Sequence, residues 1–237
     1  KNKVKKVMVK INDKKTYIYA DNVILACGAT QTPMLLKKSF GNNFLKSELE
    51  VHLNLRIGVK FKEKMQDREG LMFTRQIQEY LESGVLIMPT SFNKNNFFSS
   101  LAKLDNNQIN MIEKEIDKYS SFIIQLSSLN KVQLNNFFGN TILNYNLHNE
   151  DINKLKNYFK IFCGFLFDTG AEEIYLPFKK KFYVNKNDNL DAIIENCLTK
   201  ENIEMVSVHG MSSARMGIKN SNKSKFNLNG RSFDFEN

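Results

Sequence analysis

Cysteine and histidine are scarce in this chain. Its 237 residues include three cysteines, Cys27, Cys163 and Cys197, which lie far apart among apolar neighbours. An odd number of distant cysteines argues against a disulfide framework and a structural zinc site, and it suits a reducing, cytoplasmic compartment. The three histidines are also widely separated, so we expect no metal site.

Long apolar runs are absent as well. The longest covers residues 161–167, far short of the roughly 20 apolar residues that a membrane-spanning helix needs, so the sequence predicts no membrane span. The chain begins at a lysine and ends at Asn237. We expect both ends to be the boundaries of a fragment, so that neither can be read for targeting. The length suffices for one large domain or two small ones.

The charge is one-sided, because 34 Lys and Arg against 25 Asp and Glu give a formal net charge of +9. The basic residues are nevertheless scattered along the chain and often alternate with asparagine, and only residues 179–181 form a local lysine run. Proteins that bind nucleic acid cluster their basic residues on one element, so we expect no nucleic-acid partner.

The first part of the chain predicts a hairpin, a buried strand, a tight turn and a helix. The hairpin turns at residues 12–14, and the apolar run Val23–Ala26 is typical of a strand covered on both faces. Small residues follow at 27–29, and Thr32 is the expected N-cap of a helix that Pro33 begins. Such a turn can bind phosphates through free backbone N–H groups, but it is also an ordinary feature of α/β proteins.

The middle of the chain predicts an antiparallel sheet flanked by helices. Apolar residues fall at every second position of Val51–Phe61, so we expect the polar face of this strand to be exposed to solvent or to line a cavity. Further strands are expected at 72–77, 84–88, 122–126, 141–147 and 174–176, and helices at 106–119 and 149–170. The second helix has an apolar stripe of Ile152, Leu155, Phe159, Phe162 and Leu166. The fold class is therefore α/β plus α+β, with an antiparallel-sheet domain inserted into an α/β domain.

Two motifs resemble those of the GMC (glucose-methanol-choline) oxidoreductases. The segment from His209 to Gly217 is similar to the family's H-x-x-G-T-x-R-M-G, with His209, Arg215, Met216 and Gly217 in matching positions. The segments 229–231 and 235–237 resemble the sequel of that motif, and residues 20–36 resemble the family's A-D-x-V-V-L-A-A-G-A-x-x-T-P-x-L-L. Residues 170–177 are also similar to the branch that contains long-chain fatty-alcohol oxidases.

The resemblance implies an FAD-dependent enzyme that oxidises a small-molecule alcohol. It makes His209 the catalytic base, which takes the hydroxyl proton while hydride passes to flavin N5. It places Ala26, Gly28 and Ala29 against the adenosine-diphosphate part of FAD. The implied domains are an FAD-binding segment at 1–47, a substrate-binding domain at 48–205, and a return to the FAD-binding domain at 206–237.

The chain departs from the family pattern in three places. Ser212 and Ser213 replace Gly-Thr, and both the glycine fingerprint G-x-G-x-x-G and a second active-site residue, His or Asn, are absent. We therefore expect that this chain alone neither holds FAD properly nor turns over. Two alternatives stay open: a sugar or polyol dehydrogenase of the same family, and a catalytically inactive binding or scaffold protein that retains the fold.

Overall fold

The structure is a computed structural model, and it describes residues 2–46, 48–65, 75–90, 94, 97–98, 105–138, 140–179, 183–219 and 224–236. The chain forms two compact units. The first unit comprises Lys1–Glu50, Lys131–Tyr145 and Gly210–Asn237, and the second comprises Val51–Asn130 and Asn146–His209. The assignment of residues to an FAD-binding and a substrate-binding domain stays a prediction.

The described residues form a mixed α/β structure with a large antiparallel sheet. The strands are β1 (Lys6–Ile11), β2 (Lys14–Tyr19), β3 (Glu48–Phe61), β4 (Val85–Pro89), β5 (Tyr119–Ser127), β6 (Val132–Phe137), β7 (Asn140–Asn144), β8 (Ala171–Tyr175), β9 (Tyr183–Asn185) and β10 (Gly210–Met211). The α-helices are α1 (Gly28–Phe40), α2 (Asn106–Lys114), α3 (Asn149–Asp168) and α4 (Leu190–Cys197).

The first unit begins with the predicted hairpin. Strands β1 and β2 pair antiparallel from Lys6 opposite Tyr19 to Ile11 opposite Lys14. Asn12 and Asp13 make the turn with φ of 46° and 63°, a left-handed conformation that Asn and Asp tolerate better than most residues. Within the same unit, the start of β3 pairs with β6, and β6 pairs with β7.

The predicted buried strand at Val23–Ala26 is wrong. These residues belong to no strand, and the Ile24 side chain is 89% exposed. A strand covered on both faces needs neighbouring strands for its N–H and C=O groups, and none of the described strands pairs with this segment. The following helix begins at Gly28 rather than at Thr32, so Pro33 lies inside α1, where it packs on the buried side.

The second unit is built around the rest of β3. The strand order here is β4, β5, β3, β8 and β9, and the pairs are antiparallel. Leu53, Leu55, Ile57 and Val59 are buried, which confirms the strand predicted from its alternating pattern. The other face is only partly open, because Asn54 is buried too.

Helix α3 packs its apolar stripe as predicted, since Ile152, Leu155, Phe159, Phe162 and Leu166 are all buried. Asp151, in its first turn, is also buried. Its Oδ2 accepts hydrogen bonds from the backbone N–H of Leu129 and the hydroxyl of Ser128, both at 3.1 Å. These bonds tie the end of β5 to the start of α3.

A second apolar cluster, Phe97, Ile112, Tyr119 and Tyr175, involves the partly covered face of β3. An added Cβ on Gly58 would lie 2.8 Å from a ring carbon of Phe97, so glycine at this position permits the close approach of the ring. The helix predicted over 106–119 is too long. It ends at Lys114 and is followed by a short 3₁₀ turn, because Tyr119 already belongs to β5.

The strands predicted at 84–88, 122–126, 141–147 and 174–176 are present and differ by a few residues at their ends, whereas β6, β9 and β10 were not predicted. Of the strand expected at 72–77, residues 72–74 lie outside the described residues, and Ile77 forms only an isolated bridge to Ile87. None of the helices that the structure describes is long and apolar enough to cross a membrane.

Candidate functional site

The start of α1 exposes backbone donors. Gly28 has φ of +78°, which suits glycine, and no side chain caps the helix through a hydrogen bond. The first turn of α1 also lacks an acidic residue. Ala26 and Gly28 are exposed, and Ala29 is half-buried. An uncapped helix N-terminus with free N–H groups favours an anion such as a phosphate.

Ala29 of the first motif and Gly210 of the second lie close together in the first unit. A Cβ built on Gly210 would lie 3.7 Å from the Cβ of Ala29 and 3.3 Å from Cδ1 of Leu49. Ala29 belongs to the first motif, and Gly210 follows His209 in the second. The fold therefore brings a predicted cofactor-binding residue beside the chain neighbour of the predicted catalytic histidine.

Ser212 stands where the resembled motif has glycine. Its φ is +64°, in the left-handed region where glycine costs nothing and a residue with a Cβ is strained. The backbone of this turn is thus the kind that a glycine would favour. The neighbouring Ser213 is buried.

A charged network holds the second motif in place. The Arg215 guanidinium forms a short ion pair with Oε1 of Glu50, and the Ser212 hydroxyl donates to Oε2 of Glu50 at 3.0 Å. Arg215 Nε also donates to the Ser212 carbonyl at 3.2 Å, and the Lys131 ammonium lies 3.4 Å from Glu50. The turn at Ser212 is therefore tied to β3.

The pKa of the Glu50 carboxyl reflects this network. Burial alone would raise it, but the hydrogen bond from Ser212 and the charges of Arg215 and Lys131 outweigh burial and lower the pKa. The carboxylate therefore contributes stability at neutral pH, and that contribution is lost as the pH falls through the lowered pKa.

A cavity of about 450 Å³ opens beside the same turn, within the first unit. Ser212, Ser213 and Ala214 form part of its wall. Its charged lining residues are Lys46, Arg215, Lys219, Lys225, Glu48 and Asp234. Cations outnumber acids, so the cavity suits an anionic group.

His209 is exposed, and it belongs to the second unit. Its backbone carbonyl accepts a hydrogen bond of 3.3 Å from the Ser207 hydroxyl. The ring of His52, on β3 in the same unit, lies beside it with the ring centroids 6.3 Å apart and the planes at 87°. Sequence reasoning missed His52, although its place on the polar side of the alternating pattern was a usable signal.

The described side chains form no obvious metal site, because they include no group of three or more His, Cys, Asp or Glu placed to hold an ion.

A comparison of the sequence with protein-family models and with curated proteins finds no match.

Proposed function

We propose that this chain is part of an FAD-dependent alcohol oxidoreductase of the GMC family. The observation that carries the proposal is the proximity of Ala29 to Gly210, where an added Cβ would lie 3.7 Å from the Cβ of Ala29. The motifs that contain these residues lie at opposite ends of the sequence, and the resemblance requires both to serve one cofactor. Their meeting in one compact unit is what a shared flavin site needs.

The backbone of the second motif supports the same proposal. The left-handed conformation of Ser212 is expected of the glycine that the family has there. Glu50 and Arg215 hold this turn. If the sequence resemblance were a coincidence, the residue at the family's glycine position would have no reason to adopt the left-handed conformation that glycine favours.

Each residue then has a role that its surroundings allow. The free N–H groups of α1 bind phosphate oxygens, with Ala26, Gly28 and Ala29 against the cofactor. FAD, when bound, accepts the hydride of the alcohol. The exposed imidazole of His209 accepts the hydroxyl proton, which makes the departure of hydride easier.

The polar surroundings of His52 favour a sugar or polyol as a second candidate substrate class. On the same face of the sheet, the Gln125 amide donates to Oδ1 of Asn54 at 3.0 Å. Aromatic side chains of the same unit, which could otherwise favour an apolar alcohol, are used in packing. Phe97 is buried in a core cluster, and Phe122 packs against Phe162.

The proposed function predicts that Gly210→Val lowers the FAD content of the purified full-length enzyme several-fold, since this chain alone is not expected to hold FAD properly. An alanine at position 210 would require the Leu49 side chain to shift by a few tenths of an ångström, whereas the γ-methyls of a valine add further bulk beside Leu49 and Ala29. Gly164→Ala on α3 is the matched control, because nothing lies within 4 Å of the added Cβ. The measurement is the flavin-to-protein absorbance ratio. A full-length wild-type enzyme that purifies and reconstitutes without FAD refutes the proposal.

A further inference from the structure

We propose that His52 is a positioning residue for His209, an inference that rests on the function proposed above. The two imidazoles lie edge to face, with centroids 6.3 Å apart and planes at 87°. Aromatic rings prefer this arrangement, and such a pair contributes beyond the area it buries. A base on an exposed ring needs a fixed orientation to meet the hydroxyl proton.

The backbone around His209 does not by itself fix the orientation of its ring. Residues 207–209 belong to no helix or strand, and the His209 side chain is exposed. The backbone is anchored on both sides of His209, by the bonds of the Val206 N–H and C=O to Asn54 at 3.0 and 2.8 Å and by the pairing of β10, which begins at Gly210, with β3. These anchors fix the backbone, and neither of them fixes the orientation of the His209 ring.

His52 is well placed to supply the missing constraint. It lies on β3 between Val51 and Leu53, which are both buried. Its backbone is paired with Ser127 of β5. The His52 ring therefore projects from a rigid strand, and its contact with His209 restricts the orientation of the less supported ring.

The contact itself is tested by NMR of the histidine ring protons at one fixed pH. His52→Ala should move the ring resonances of His209, because the ring current of His52 is removed. His148, the third histidine of the chain, caps α3 through Nδ1, and its resonances should stay in place. Unchanged His209 resonances in the variant overturn the inference, whatever the function of the protein.

The positioning role is tested by flavin reduction in the FAD-loaded full-length enzyme. His52→Ala should lower the reduction rate constant about 3- to 10-fold, the worth of one aromatic pair, with little change in KM. His52→Phe keeps a ring at the contact and should restore most of that rate. If both variants lose the same fraction of the reduction rate constant, His52 has a chemical role and the positioning role is overturned. If His209→Ala leaves the rate unchanged, the proposed function fails instead, which separates the two failures.

Discussion

In the full-length enzyme, replacing His209 by alanine should slow flavin reduction by an alcohol about 100- to 10,000-fold while FAD stays bound. The imidazole accepts the hydroxyl proton, so its removal raises the barrier to hydride departure. The proposed cofactor contacts lie elsewhere, at Ala26, Gly28 and Ala29. The variant should therefore keep its flavin and lose most of its reaction rate.

The measurement is anaerobic stopped-flow reduction of the flavin by a long-chain alcohol and by a polyol, alongside the flavin content. His148→Ala serves as the control, because His148 is exposed at the start of α3 and lies away from the motifs in sequence. Its rate should match that of the wild type. Unchanged kinetics in His209→Ala would make His209 a structural residue.

Replacing Phe159 by alanine should lower the free energy of unfolding by about 3–5 kcal/mol. The side chain is 0% exposed on α3, and its ring packs 5.7 Å from that of Phe178 between centroids. Truncation removes a large buried apolar surface and leaves a cavity that the surrounding strands and helix fill only in part.

Urea unfolding followed by circular dichroism measures this loss. Ile161→Ala is the matched control on the same helix, because Ile161 is 44% exposed, and it should cost only about 0.5–1 kcal/mol. Equal costs for the two variants would mean that α3 does not bury the face assigned to it.

The elements that were predicted correctly are those that local hydrophobic patterns and turn residues determine. The alternation in β3 and the stripe of α3 each follow from one buried face, and the hairpin follows from turn residues at Asn12 and Asp13. In each case the hydrophobic pattern and the backbone preference agree, so no distant contact is needed to choose the structure.

The elements that failed depend on partners far away in the chain. Val23–Ala26 has the composition of a buried strand, but composition cannot provide the neighbouring strands that such a segment requires. The start of α1 was predicted too late, because Thr32 and Pro33 have the residue types of an N-cap and a first helical residue although the helix already begins at Gly28.

Some features of the candidate site could likewise be predicted from local sequence, and others could not. The motif resemblance singled out His209, Gly28 and Ala29, and it showed that Ser212 stands where the family has glycine, but it did not predict the backbone conformation there. It also did not predict the contact of His52 with His209, because the contact of two rings depends on how the segment before His209 lies beside β3. The anchoring of Arg215 by Glu50 was equally hidden, since it joins residues from distant parts of the chain.

The most direct test of the proposed flavin-dependent oxidoreductase is the absorbance spectrum of the FAD-loaded full-length wild-type enzyme, mixed anaerobically with an alcohol. The account predicts that the oxidised flavin band bleaches on addition of an alcohol and not of the matching alkane or ether, because only a hydroxyl can lose its proton to His209. A protein that binds FAD and stays oxidised with every alcohol class, sugars and polyols included, would contradict it.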